Sequence, residues 1–346
     1  MNRKAGHMRA GLRRRVGADD ARRSTRRTFL VALGSSILTA SFGAFAQQAA
    51  KVYRIGFLGV GKAPGRIDTL RAGLRDLGYV EGKNIIIEYR WAEGSSERLP
   101  QLAVELVRLN IDVLVTHSTG GPRAARQASA SIPIVMVAVG DAVATGLVES
   151  LAPPGGNITG STILGPQLVA KRLEMLKEAL PHVSRVALLV RPNIPSLPSI
   201  RKEMETVVRS RKVEVQEFEA RHPKDLEAAF QGMARSRIEA VVVSEHPALT
   251  ENAGIIAKLA INHRLPLAGY GEFTEAGGML GYGVNFPELY RRAAYFVDRV
   301  LKGARPGDLP VEQPTKFELV VNVKTAKALG ITIPQSILVR ADRVIE

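Results

Sequence analysis

From Val52 onward the chain alternates short β-branched runs with longer segments of helical period, and this alternation restricts its fold more than any other feature. Residues 52–60 read as a buried strand, followed by a Gly/Pro-rich loop from Gly59 to Gly65. A helix then carries Ile67, Leu70, Leu74 and Leu77 at spacings of three and four and closes at Gly78. Residues 84–90 form the next expected strand. Residues 97–110 form the next helix, with Leu99, Leu102, Leu106 and Leu109 on one face. Strands are expected over 112–116, 132–139 and 157–161, with helices over 121–130 and 145–151 between them. This order predicts a parallel sheet covered on both faces.

The pattern then restarts. Helices over 167–180, 199–211, 226–234 and 249–264 alternate with strands over 185–190, 213–218, 240–244 and 265–269. The Gly-rich stretch 155–166 is the natural first crossing between two halves. The tail adds a strand over 279–284, a long amphipathic helix over 286–301 and a strand over 316–322. The expectation is an α/β fold of two doubly wound lobes joined by a hinge. Residues 51–161 and part of 285–346 make the first lobe, and residues 162–284 the second. Two such lobes leave a cleft, and ligands of such sheets sit beyond the carboxyl ends of the strands.

Charge points elsewhere at first. The 346 residues hold 48 Lys and Arg against 33 Asp and Glu, a net +15 that suggests nucleic acid or an anionic membrane surface. The first 27 residues, however, contain ten basic side chains and only Asp19 and Asp20 as acids. An apolar run from Phe29 to Phe45 follows and ends in Ala44-Phe45-Ala46, a small-x-small cleavage pattern. Ser24-Thr-Arg-Arg-Thr-Phe-Leu30 resembles a twin-arginine export signal, with a Sec signal of long basic region as the alternative. Residues 1–46 are therefore expected to be cleaved on export to the periplasm. The absence of cysteine excludes disulfides, Cys-ligated zinc, iron–sulfur clusters, thiol catalysis and a lipid-modified N-terminal Cys. The mature chain is expected to be soluble, without a lipid anchor, monomeric, and not a partner of nucleic acid.

Chemical motifs are sparse. Gly56-Phe-Leu-Gly-Val-Gly61 lacks the dinucleotide spacing, and no phosphate loop, nucleophile elbow or His-Glu-x-x-His helix is present. His117, His182, His222, His246 and His263 are scattered, so no catalytic set, metal site or cofactor is expected. Binding residues are more legible. Ser118, Thr119 and Gly120 follow one strand and open a helix, where backbone N–H groups and hydroxyls either receive a carboxylate or simply cap the helix. Asp141 follows the next strand and either pairs with a ligand ammonium or caps the segment near Thr145. From the second lobe, Asn193 and Glu245 follow strands 185–190 and 240–244. Tyr270 and Phe273 follow strand 265–269 as an apolar wall.

With these segments placed, the chain resembles the tryptophan/tyrosine-type family of ABC-transporter substrate-binding proteins. The resemblance is carried by Leu74-Arg-Asp-Leu-Gly-Tyr-Val-Glu-Gly-Lys-Asn84, Ile87-Glu-Tyr-Arg-Trp-Ala-Glu-Gly94, Gly146-Leu-Val-Glu-Ser-Leu-Ala152, Pro154-Gly-Gly-Asn-Ile-Thr-Gly160 and Leu309-Pro-Val-Glu-Gln-Pro-Thr-Lys-Phe-Glu-Leu319. It extends from about Val52 to Glu346. It implies Rossmann-like lobes of the type I periplasmic-binding-protein kind, no catalysis, and delivery of a small molecule to an ABC permease in the inner membrane. By position, the Ser118–Thr119 loop and Asp141 are the implied contacts to an amino acid or a related carboxylate or aromatic solute. The chain departs from the family there, with Ser118-Thr-Gly-Gly-Pro122 and Gly140-Asp-Ala142. A periplasmic ligand sensor for a membrane signalling protein, or an enzyme on the same scaffold, are the alternatives.

Overall fold

The computed structural model describes residues 51–346 apart from Ala63, so the export segment read at residues 1–46 lies outside the described residues. The first half runs β1 (Tyr53–Gly59), α1 (Pro64–Asp76), β2 (Ile85–Trp91), α2 (Leu99–Arg108), β3 (Val113–His117), α3 (Gly120–Ala128), β4 (Ile134–Val139) and β5 (Ile158–Thr162). These strands form a parallel sheet in the order β2-β1-β3-β4-β5. Every residue of β3, β4 and β5 is buried, as a parallel sheet with both faces covered requires.

The second half runs α4 (Gly165–Ala179), β6 (Arg185–Val190), α5 (Leu197–Arg211), β7 (Glu214–Glu219), α6 (Asp225–Arg235), β8 (Ala240–Val243), α7 (Pro247–Glu251), α8 (Ala253–Asn262), β9 (Leu267–Gly269), α9 (Gly271–Glu275) and β10 (Leu280–Gly283). The chain then gives α10 (Phe286–Leu301), β11 (Glu318–Asn322), α11 (Val323–Ala328), α12 (Gln335–Leu338) and β12 (Arg343–Ile345). The second sheet has the order β12-β11-β10-β9-β8-β6-β7, with β11 antiparallel to β10. This is the two-lobed, doubly wound α/β architecture.

The tail divides between the lobes. Helix α10 turns back and packs on α1 and on the first sheet. A Cβ on Gly73 of α1 would stand 2.7 Å from the Arg291 carbonyl of α10, so the two helices touch where only glycine fits. Tyr79 adds a buried hydrogen bond from its hydroxyl to Asp298 Oδ1 at 3.1 Å. Strands β11 and β12 return to the second sheet. The chain thus passes from one sheet's layers to the other's near Ile163, near Val284 and between Glu312 and Glu318.

Three local expectations fail for physical reasons. Residues 145–151 form turns, not a helix: Gly146 sits at φ +67° and prolines follow at 153 and 154. The helix expected over 249–264 is two, broken at Asn252, whose Nδ2 donates to the Ala248 carbonyl at 2.7 Å. Leu77 lies beyond the end of α1 and is exposed rather than on its buried face.

Candidate ligand-binding site

The carboxyl ends of β3, β4, β6, β8 and β9 face one cavity of about 210 Å³ between the two sheets. The strand ends prepare it. Ser118 at φ +60° lets the chain turn from β3 straight into α3. Gly121 permits that helix to pack back on the strand, since a Cβ there would stand 2.0 Å from Thr116 Oγ1. Ala138 at φ +53° lies in the irregularity between Met136 and Val139 where β4 shifts its register on β5, and Asn193 at φ +60° turns the segment after β6. Left-handed backbone at Ser118, Ala138 and Asn193 is strained, and all three residues line the cavity.

Ser118, Thr119 and Gly120 border the cavity from the first lobe; Asn193, Glu245 and Tyr270 border it from the second. Thr119 stands at the start of α3 but makes no side-chain capping bond, so its hydroxyl is not spent on its own helix. Asp141 is not among the lining residues. Its Oδ1 accepts from the Ala144 N–H at 2.9 Å, which closes the turn after β4, and Gly140 borders the cavity in its place. Phe273 also stays out: it is buried beneath β9, packed against Gly269.

Glu245 is the buried carboxylate among the described lining residues, Glu97 being exposed. Its side chain is 9% exposed and is held by Arg172, which is fully buried, at 2.9 Å. Arg172 Nε donates to the Tyr282 carbonyl at 2.8 Å, and the guanidinium lies 3.9 Å from the centroid of the Tyr270 ring. Burial pushes the Glu245 carboxyl up to about 7, against the pull of Arg172. The Tyr270 and Ser244 hydroxyls are buried with no hydrogen-bond partner in the protein.

Several lining residues were not readable from the sequence. Arg66, in the first turn of α1, reaches across to Glu272 of α9 at 2.5 Å and stacks 3.9 Å over the Phe286 ring. Tyr290 and Phe286 arrive on α10, some 170 residues after β3, and nothing local marks them as site residues. Tyr290 Oη lies 2.6 Å from His117 Nδ1. Ser96 Oγ and His246 Nε2 meet at 3.4 Å, and Arg191 Nη2 stands 3.7 Å from Glu97.

Neither histidine of the cavity is equipped for proton transfer. His117 Nε2 accepts from the Val60 N–H, and His246 Nδ1 accepts from the Ala248 N–H as the cap of α7. Burial lowers both to about 3, with Arg66 adding to the effect at His117 and Arg191 at His246. Both rings are neutral structural groups at ordinary pH. The rest of the wall is mainly apolar, with Val137, Ala138, Ile163, Ile194, Pro195 and Phe286, and adds the hydroxyls of Ser196 and Thr250. Because His246 Nδ1 accepts from Ala248, its Nε2 carries the ring proton and faces Ser96 as a donor, so the pair is no nucleophile with a base; the space suits the holding of one small molecule.

Fold and site together define a two-lobed receptor for a small molecule. The chain belongs to the family described as ABC transporter substrate binding protein, whose sequence profile matches residues 65–345. Members of this family bind a small molecule, work with an ABC permease and are not enzymes. A tyrosine-binding protein of Clostridioides difficile is 27% identical over 259 residues, spanning 75% of this chain and 74% of that protein. A conserved domain protein of Vibrio cholerae overlays with a TM-score of 0.78 at 28% identity, over 85% of this chain and 100% of the other. The ABC domain from Streptococcus pneumonia, solved with L-Trp, overlays with a TM-score of 0.77 at 24% identity, over 85% of this chain and 99% of that one. No helix among the described residues is long and apolar enough to cross a membrane.

Proposed function

We propose that this chain is the exported, periplasmic solute-binding component of an ABC importer. It takes an amino acid or a closely related carboxylate in the cleft between its lobes and closes about a hinge to present it. The carrying observation is that one small cavity combines Glu245, the free N-terminal N–H groups of α3, the uncommitted Thr119 hydroxyl and aromatic walls. Glu245 suits an α-ammonium group, the Ser118–Gly120 corner suits a carboxylate, and Tyr270 and Phe286 suit an apolar or aromatic side chain. The guanidinium groups of Arg66, Arg172 and Arg191 each face a carboxylate of the protein, which favours a ligand of no net charge, such as a zwitterion. The tyrosine-binding relative supports the same class of ligand.

Closure is supported by contacts that join the lobes across the cleft: Arg66 to Glu272, Arg191 to Glu97 and Ser96 to His246. Each of these needs the lobes together. Calorimetry with the twenty amino acids and with aromatic acids, paired with small-angle scattering, tests the proposal. At least one amino acid should bind and shrink the radius of gyration. Saturable binding of none of them, or binding without compaction, would reject it.

A further inference from the structure

The end of the cavity formed by His117, Tyr290 and Arg66 has a definite hydrogen-bond polarity. The Val60 backbone N–H donates to His117 Nε2 at 3.1 Å. A backbone amide can only donate, so Nε2 carries no proton, and the neutral ring holds its proton on Nδ1. That Nδ1–H points at the Tyr290 hydroxyl 2.6 Å away, so the hydroxyl oxygen is the acceptor in this bond. The guanidinium of Arg66, which also has only donors, borders the same cavity. Among the described residues the tyrosine hydroxyl has no acceptor within hydrogen-bond distance, and its residue is 1% exposed. Its own proton is therefore left for the cavity that Tyr290 lines. A buried donor without an acceptor is costly, and a ligand oxygen removes that cost.

We propose that Tyr290 is a specificity-determining ligand contact, a hydroxyl that His117 locks as a donor and that reads an oxygen acceptor on the bound molecule. The inference rests on the amino-acid reading above and adds an orientation to it: with a ligand oxygen held by the Tyr290 hydroxyl, the ligand's ammonium is directed away from Tyr290 and toward Glu245. The oxygen comes either from the ligand carboxylate or from a side-chain hydroxyl.

The test compares wild type with Tyr290→Phe, which keeps the ring and its packing, using L-tyrosine, tyramine and L-phenylalanine in calorimetric titrations. Tyramine lacks the carboxylate and L-phenylalanine lacks the phenolic oxygen. The substitution should weaken L-tyrosine about tenfold or more. It should leave within about twofold the one analogue that lacks the oxygen being read, which also identifies that oxygen. Equal losses for all three ligands, or no loss for L-tyrosine, would overturn the proposal. Binding of none of the three to wild type would also overturn the proposal, whereas the amino-acid reading on which it rests would fall only if none of the twenty amino acids bound. A measurement without ligand keeps the relay itself testable: nitrogen chemical shifts of the His117 ring should show Nδ1 protonated and Nε2 bare. The opposite tautomer would refute it.

Discussion

Glu245 and Asp141 both follow a strand's carboxyl end, yet only Glu245 lines the cavity. Asp141 spends its oxygen on the Ala144 N–H in a partly solvated turn. Glu245 faces the cavity from a buried position, anchored by Arg172, and its carboxyl is raised from 4.5 to about 7 by burial. The sign of the pH effect follows from that direction. In the empty protein this group stabilises the fold below about 4.5, and the contribution is lost as pH rises through 7. An ammonium ligand reverses the balance by favouring the carboxylate, so binding expels a proton. Affinity for an amine-bearing ligand should then fall as pH drops from 8 to 5.5, approaching about tenfold per unit well below 7. Glu245→Gln should remove that pH dependence and weaken binding at pH 8, whereas Asp141→Ala should change neither. Titration calorimetry across this range decides, and a flat wild-type profile would remove Glu245 from the ammonium site. At this scale the sequence was informative for residues just after strands, because the edge of the sheet where they lie follows from strand direction alone. It could not tell a cap from a ligand contact, since both need the same residue type at the same place. The structure gives Asp141 a bond that closes its own turn and gives Thr119 no capping bond.

Strands and amphipathic helices were legible wherever one residue type dominated a period. β6 spans residues 185–190 and α10 spans 286–301, the ranges that the patterns predict. Elements set by a single backbone geometry were not. Gly160 within β5 lies at φ +125°, and a Cβ there would stand 2.0 Å from the Met136 carbonyl oxygen of β4. Replacing it with alanine forces both a disfavoured backbone conformation and a collision with main chain that cannot swing away. Gly160→Ala should cost at least about 2 kcal/mol of stability, measured by chemical denaturation. A loss below about 0.5 kcal/mol would show that β4 and β5 adjust without strain. In the sequence this glycine sits in Asn157-Ile-Thr-Gly160, where nothing distinguishes a tight strand contact from a loop. The short helices α11 and α12 and strand β12 were missed because each is too brief to show a period.

At the scale of the whole molecule, closure draws on modest forces. The Arg66–Glu272 pair spans the lobes with 14% and 32% of its side chains exposed, and such a pair contributes about 1 kcal/mol or less. Glu272→Ala should therefore shift the ligand-free protein toward a more open form in scattering and weaken ligand binding by no more than about fivefold. A loss of about a hundredfold would mean that Glu272 contacts the ligand itself. The path of the chain has a further consequence, which concerns the order in which the protein is made. α1 carries its apolar residues Ile67, Leu70 and Leu74 against α10, and those partners emerge more than 200 residues later. While the second sheet is being synthesised, the first sheet has its strands but lacks one covering helix. A nascent chain that ends before Phe286 thus exposes a sticky face for as long as translation takes to supply the cover. The interleaving that gives both lobes a hold on the cleft also makes their maturation one event instead of two.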